Sequence, residues 1–174
     1  MKKTLLFLSV MFCFTSLVKA QEFQVGTNAI NVGVGVGGYY YGYNVSDQSP
    51  VFSVSYERGV WDVPGPGVVS LGGYLGHKRF SRNDNFDDYN WSYTTVGFRG
   101  AYHYTGFEID NLDVYGGAML SYRVYGGDDY EDYRSRPGAS AYAGGRWYFN
   151  EHIAAFAEIG YGSAYLTLGA TFRF

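Results

Sequence analysis

The side chains able to do acid–base or nucleophilic chemistry are few and scattered. Histidines stand at His77, His103 and His152, and no His-x-Ser pair occurs. An acyl-transfer or lipid-hydrolysing nucleophile needs a base held against it, and the spacing supplies none. Cys13, the only cysteine, lies in a stretch expected to be removed, which leaves no thiol for a disulfide, a Cys-ligated metal or a thiol nucleophile. Gly33-x-Gly35-x-Gly37-Gly38 is not a phosphate cradle: no helix follows it, and glycines inside an alternating strand make room for neighbouring tyrosines. Two acidic clusters remain. Asp84, Asp87 and Asp88 form one; Asp128, Asp129, Glu131 and Asp132, beside Arg134 and Arg136, form the other. The second lacks the ordered D-x-[DN]-x-[DN]-G spacing of a calcium loop. Both are expected to be solvated surface loops, and no cofactor or metal site is expected.

The elements that must position such groups begin after an export signal. Residues 1–20 carry Lys2 and Lys3, an apolar block from Leu5 to Val18, and the small-residue site Val18-Lys19-Ala20. That is the layout of a cleaved secretory signal, with an apolar block shorter than the ~20 residues a spanning helix needs. The expected organisation is a signal peptide over 1–20 and one domain over 21–174. Removing Lys2, Lys3 and Lys19 leaves ten basic residues against sixteen acidic ones, a formal charge of −6. Nucleic acid is therefore not an expected partner.

The domain is rich in strand formers, with 19 Tyr and 13 Phe in the chain, and its 25 Gly follow no collagen period. Polar and apolar side chains alternate over 28–41, 51–60, 68–80, 91–104, 112–125, 140–149, 153–161 and 165–174, the period of strands with one apolar face. In the last of these, Leu166, Leu168, Ala170, Phe172 and Phe174 share one face and Thr167, Thr171 and Arg173 the other. The stretches between alternate in character: 42–50, 81–90, 126–138 and 162–164 at one end, 61–67, 105–111 and 150–152 at the other.

Strands of about ten residues, even in number, with long loops at one end and short turns at the other are the pattern of a transmembrane barrel. The expected fold is all-β: a closed, antiparallel, up-and-down meander of about eight strands. On the apolar face, Tyr102, Tyr104, Trp147, Phe149, Phe172 and Phe174 gather toward the turn end, and Tyr40, Phe52, Tyr122 and Tyr161 toward the loop end. Two aromatic girdles around an aliphatic band suit a barrel held at two membrane interfaces.

The opposite, polar faces collect Lys78, Arg99, Arg123, Arg146 and Arg173 with Glu57, Asp113 and Glu158. Eight strands enclose room for side chains and little more. An unpaired buried charge costs roughly 3–5 kcal/mol, so a cross-lumen network is expected among Glu57, Arg99, Arg123, Arg146, Glu158 and Arg173, with Arg146 and Arg173 directed toward acids such as Glu158.

The signal, the alternation and the ending Gly160-Tyr161-Gly162 … Leu168-Gly169-Ala170-Thr171-Phe172-Arg173-Phe174 resemble the small outer-membrane β-barrel proteins of the OmpA/OmpX type. The resemblance covers 21–174. It implies outer-membrane residence as a monomer, contact with membrane lipid and lipopolysaccharide, and recognition of Leu168, Ala170, Phe172 and Phe174 by the barrel-assembly machinery. The leading functional expectation is a non-enzymatic barrel with a plugged lumen, whose loops act in envelope integrity, adhesion or surface contact. A narrow pore for small, including hydrophobic, solutes and a lipid-modifying enzyme are the alternatives.

Overall fold

Alternation sorts the side chains of each strand into two faces, and one sheet with an apolar face satisfies both by curling until its edges meet. The computed structural model describes residues 23–38, 47–83, 88–127 and 135–174. The signal peptide over 1–20, with Cys13, lies outside the described residues. The strands are β1 (Asn28–Val36), the two-residue β2 (Asp47–Gln48), β3 (Val51–Val63), β4 (Gly67–Asn83), β5 (Asp88–Tyr104), β6 (Leu112–Gly127), β7 (Arg136–Tyr148), β8 (Ile153–Tyr161) and β9 (Leu166–Arg173). Each long strand pairs antiparallel with the next, and β1 also pairs with β9, from Ala29 opposite Arg173 to Val36 opposite Leu166. Eight long strands thus close a barrel in meander order, each paired on both sides, while β2 pairs with β4 alone.

The faces follow the alternation. Outward stand Val32, Val34, Val54, Leu75, Val96, Ile159, Leu168 and Leu120, the last 72 % exposed. Inward stand the buried Asn31, Ser55, Glu57, Ser70, Arg99, His103, Asp113, Arg146, Thr171 and Arg173. Buried polar and charged side chains share the interior with buried apolar ones, while the outer face carries a wide band of exposed apolar side chains. At the rim that carries the short turns, exposed Tyr102, Tyr104, Trp147, Phe149, Phe172 and Phe174 stand where the sequence set them, joined by Trp61 from the end of β3 and Phe107 from a turn. Phe52, Tyr122 and Tyr161 are exposed outward toward the loop rim; Tyr40 lies outside the described residues.

Several strand bounds differ from the sequence reading, each for a local reason. β1 stops at Val36 because Gly37 and Gly38 take φ of 73° and 108°, left-handed values that leave the ladder. β4 and β5 run on to an Asn83–Asp88 pair instead of ending at residues 80 and 91. Inward Phe80 and Trp91 face each other across that hairpin with ring centroids 5.6 Å apart, and such pairs stabilise a ladder. Asp88 is therefore the first residue of β5 rather than a loop residue. β6 likewise reaches Gly127, and β7 starts at Arg136, four residues before the start set by alternation, which Pro137 and Gly138 obscure. Tyr148 ends β7 and Leu166 begins β9, so Phe149 and Tyr165 belong to turns. A bulge between Gly59 and Trp61 shifts the β3–β4 register and turns Trp61 outward.

The seam between first and last strands depends on small residues. Gly33 faces Gly169 across it, and a Cβ on Gly169 would lie 2.1 Å from the Val32 carbonyl oxygen and 2.6 Å from Phe156 Cε1. Phe156, buried on the inner face, covers this pair of glycines. Gly169→Val should destabilise the folded barrel by about 1–3 kcal/mol through overpacking. The check is the urea midpoint of the refolded protein, and an unchanged midpoint would contradict this account of the seam.

Candidate functional site: the charged lumen

The inward faces of adjacent strands converge on one buried charge. Arg146, on β7, is 0 % exposed. Its Nη1 donates to Asp113 Oδ2 of β6 at 2.8 Å, and its Nη2 donates to Glu57 Oε1 across the lumen on β3. Its guanidinium carbon lies 4.4 Å from the centre of the Tyr115 ring, within the range where a cation is attracted to an aromatic face. Arg146 and Asp113 are direct partners in the β6–β7 ladder, so one contact is fixed by register and the other by the barrel's closure.

A second cluster sits on neighbouring strands. Arg99 Nη2 of β5 donates to Glu158 Oε1 of β8 at 2.6 Å, while its Nε donates to the Tyr142 hydroxyl at 2.9 Å. Tyr142 passes the chain on by donating to the Gly100 carbonyl. The Tyr115 hydroxyl also donates to Glu158 Oε1, at 2.9 Å. Tyr115 therefore lies under Arg146 and bonds the acid that Arg99 holds, joining the two clusters. Ser55 and Asn31 make a second bridge: Arg99 Nη1 donates to Ser55 Oγ, and Asn31 Nδ2 donates to Ser55 Oγ at 3.0 Å and to Glu57 Oε1 at 3.3 Å. Thr171 of β9 donates to Asn31 Oδ1 at 2.7 Å, which carries the network across the β1–β9 seam. In a low-dielectric interior such a network rigidifies when its members are satisfied.

His103 was placed on the inner face by alternation but not in the network. It is 0 % exposed, with Nδ1 2.8 Å from Asp113 Oδ1 and Nε2 2.9 Å from Ser70 Oγ. A carboxylate only accepts, so the Nδ1 position carries the proton toward Asp113. Hydroxyl, imidazole and carboxylate are thus aligned as in a nucleophilic relay, which the sequence spacing concealed because Ser70, His103 and Asp113 come from three successive strands. The Ser70 hydroxyl is 1 % exposed and is shared with Glu57 Oε2 at 3.2 Å. Asp113 is held by Arg146. The relay is enclosed, with its hydroxyl inside the charge cluster rather than facing a substrate space.

The remaining expected residues take other positions. Arg173 Nε donates to the Glu151 carbonyl at 2.8 Å, and its guanidinium lies 4.3 Å from the Tyr148 ring centre. Arg146 bonds Glu57, a member of the expected network, and also Asp113. Strand tilt and stagger decide which inner faces meet across the lumen, and alternation does not carry that information. Arg123 lies toward the loop rim, where its Nη2 donates to the Gly162 carbonyl at 3.1 Å. Leu168, Ala170, Phe172 and Phe174 all face outward on or just after β9. Asp84, Asp87, Asp128, Asp129, Glu131 and Asp132 lie outside the described residues. The segment before β1 gave no periodic signal, yet it puts Phe23 inside the barrel at 2 % exposure.

Two small cavities lie among the described residues of the lumen. One cavity of ≈ 20 Å³ lies among Asn31, Ser55, Tyr74, Arg99, Tyr142 and Glu158. Another of ≈ 40 Å³ lies toward the loop rim among Tyr74, Lys78, Tyr93, Arg123 and Arg136. These are spaces for one or a few waters.

No protein-family model matches the chain, and no curated protein matches it. Among solved structures, the outer membrane protein Ail of Yersinia pestis in a phospholipid bilayer nanodisc matches with a TM-score of 0.50 at 16% identity, covering 86% of this chain and 99% of that one. What the two share is the fold, here a closed eight-strand antiparallel barrel in meander order. A crystal structure of the same protein with the heparin analogue sucrose octasulfate matches with a TM-score of 0.48 at 19% identity, covering 87% of this chain and 100% of that one.

Removing one member of the Arg146 cluster leaves a buried carboxylate unpaired. Arg146→Met should destabilise the barrel by about 3–5 kcal/mol. Arg146→Lys should recover little, since a point charge does not bridge Asp113 and Glu57 as the guanidinium fork does. Adding Glu57→Gln to Arg146→Met should cost less than the sum of the two single changes. Urea unfolding of the unaltered protein, the three single variants and the double variant checks this, and strict additivity would show that the pair is not coupled.

Proposed function

We propose that the protein is a non-enzymatic integral outer-membrane barrel whose interior is closed to steady solute flow, and whose loop rim makes the contacts that constitute its function. The observation that carries this reading is the inversion of polarity: exposed Val32, Val54, Val96, Leu120 and Ile159 outside, and a paired Arg146, Glu57, Asp113, Arg99 and Glu158 inside. Water gives no reason for an apolar surface of that extent, whereas lipid does. The fold match to an outer membrane protein held in a bilayer nanodisc supports the same location. Outer-membrane lipid and lipopolysaccharide are the partners of the outer face in this reading, the assembly machinery reads Leu168, Ala170, Phe172 and Phe174, and the protein acts as a monomer.

Closure rests on the small cavities and on the span of the charge network from β1 to β9. It disfavours the pore alternative. The enclosed Ser70 hydroxyl disfavours the enzyme alternative. In planar bilayers the reconstituted protein should show no steady openings at moderate voltage; a stable conductance would sink the closed-lumen reading and favour transport of small solutes.

What remains for function is the loop rim, with Asp84, Asp87, Asp128, Asp129, Glu131 and Asp132 as its acidic content and envelope integrity, adhesion or surface contact as its roles. Deleting 84–87 together with 128–134 should leave the barrel folded while reducing cell adhesion, serum resistance or envelope integrity. Unchanged values for all three phenotypes in a strain expressing the shortened protein would remove the loops from the function.

A further inference from the structure

The short-turn rim is closed by a segment that no strand ladder requires. Phe23 lies flat against His103, with ring centroids 3.7 Å apart and planes 4° from parallel. It forms a buried apolar cluster with Ala29 and Val68, and the Arg146 guanidinium stands 5.9 Å from its ring centre. Phe23 thus lays an apolar ring over the polar cluster of His103, Arg146, Asp113 and Glu57.

The segment that delivers it crosses β3 ahead of the first ladder pair of β1. Gly26 donates to the Gly59 carbonyl, Gly59 donates to the Thr27 carbonyl, and a local turn joins Thr27 to Gln24. Val25 is exposed. The crossing over β3 is possible only because residue 59 is glycine, since a Cβ there would lie 2.2 Å from the Gln24 carbonyl oxygen. The pairing of β1 with both β3 and β9 runs from residues 28 and 29 onward. Undocking Phe23 therefore breaks no ladder pair, which places it among the low-stability openings that precede global unfolding.

The geometry points to Phe23 as a removable aromatic stopper. It occupies a ring-binding pocket formed by His103, Arg146, Ala29 and Val68, and its departure opens the buried histidine and the paired charges to water from the short-turn rim. The pocket's ligand class is a planar aromatic ring. In the resting protein that ring is the chain's own Phe23, and a small planar aromatic such as indole takes its place when Phe23 is removed. The inference concerns the same interior as the closed-lumen reading, but it is tested separately: conductance of the unaltered protein tests that reading, and local water access at His103 tests this one.

Hydroxyl-radical footprinting of the full chain in lipid nanodiscs, read by mass spectrometry, compares buried His103 with the exposed-turn His152. In the unaltered protein, modification at His103 should be at least about tenfold slower than at His152. Phe23→Ala should raise the His103 rate by about tenfold. Gly59→Ala, which displaces the segment while keeping Phe23 and every lumen charge, should do the same, so the test survives if one variant fails to refold. Equal protection of His103 in all three proteins would overturn the stopper, as would a His103 already as reactive as His152 before any substitution. In a separate measurement, indole should raise the melting midpoint of Phe23→Ala and leave that of the unaltered protein unchanged. No selective shift would overturn the aromatic-pocket assignment.

Discussion

Arg146 has no exposed surface, and a guanidinium is retained in such a place only when acids take its donors. Glu57 and Asp113 do so from opposite directions, one across the lumen and one along the ladder. Breaking such a group costs several kcal/mol, whereas an apolar filling of equal volume would cost the protein nothing in stability. The interior charges are better understood as a constraint on closure: Arg146 meets Glu57 only when β3 and β7 face each other at one stagger. An apolar interior would tolerate a slipped register, and a one-residue slip in any strand would carry its charges to the outer face. The network is thus a device for registering eight strands whose interior is in large part polar.

The same constraint explains how the aromatic residues divide. Outside, Tyr102, Tyr104, Trp147, Phe149, Phe172 and Phe174 stand around one rim. Inside, Tyr115 and Tyr142 are spacers whose ring faces meet the two arginines and whose hydroxyls supply hydrogen bonds to Glu158 and Gly100. Tyrosine serves both sides because it has an apolar body and a polar tip. Further along, Phe80, Trp91, Tyr93 and Tyr125 form an inward aromatic column that extends the β4–β5 hairpin and its neighbour β6 toward the loop rim.

Much of the barrel was legible in the sequence because period-2 alternation is a property of single strands. β8 matched its expected bounds, and the last strand began within one residue of its expected position. Among the described strand residues, Glu57, Lys78, Arg99, Asp113, Arg146 and Arg173 lie on the buried face that alternation gives them. What alternation could not carry was partnership. The pairing of Arg146 with Asp113 and the place of His103 beside it were not legible, because the facing of residues across a lumen is set by tilt and stagger summed over several strands. The β4–β5 extension was hidden for a different reason: Ser81 to Asn90 has the composition of a loop, and only the packing of Phe80 on Trp91 turns its flanks into ladder. Phe23 was least legible of all, since a single aromatic before the first strand has no period to betray its direction.

The exchange of backbone hydrogen bonds between Asn28 and Phe174 makes the two ends of the barrel neighbours in space. Because β1 and β9 run antiparallel from that point, a pulling force applied between the ends acts across the ladder rather than along it. The hydrogen bonds of the seam are then loaded one after another from this rim, like the teeth of a zip, whereas the ladders between other strands share no such concentrated strain. Mechanically the molecule is a cylinder with one designated line of opening, and that line begins beside the segment that carries Phe23.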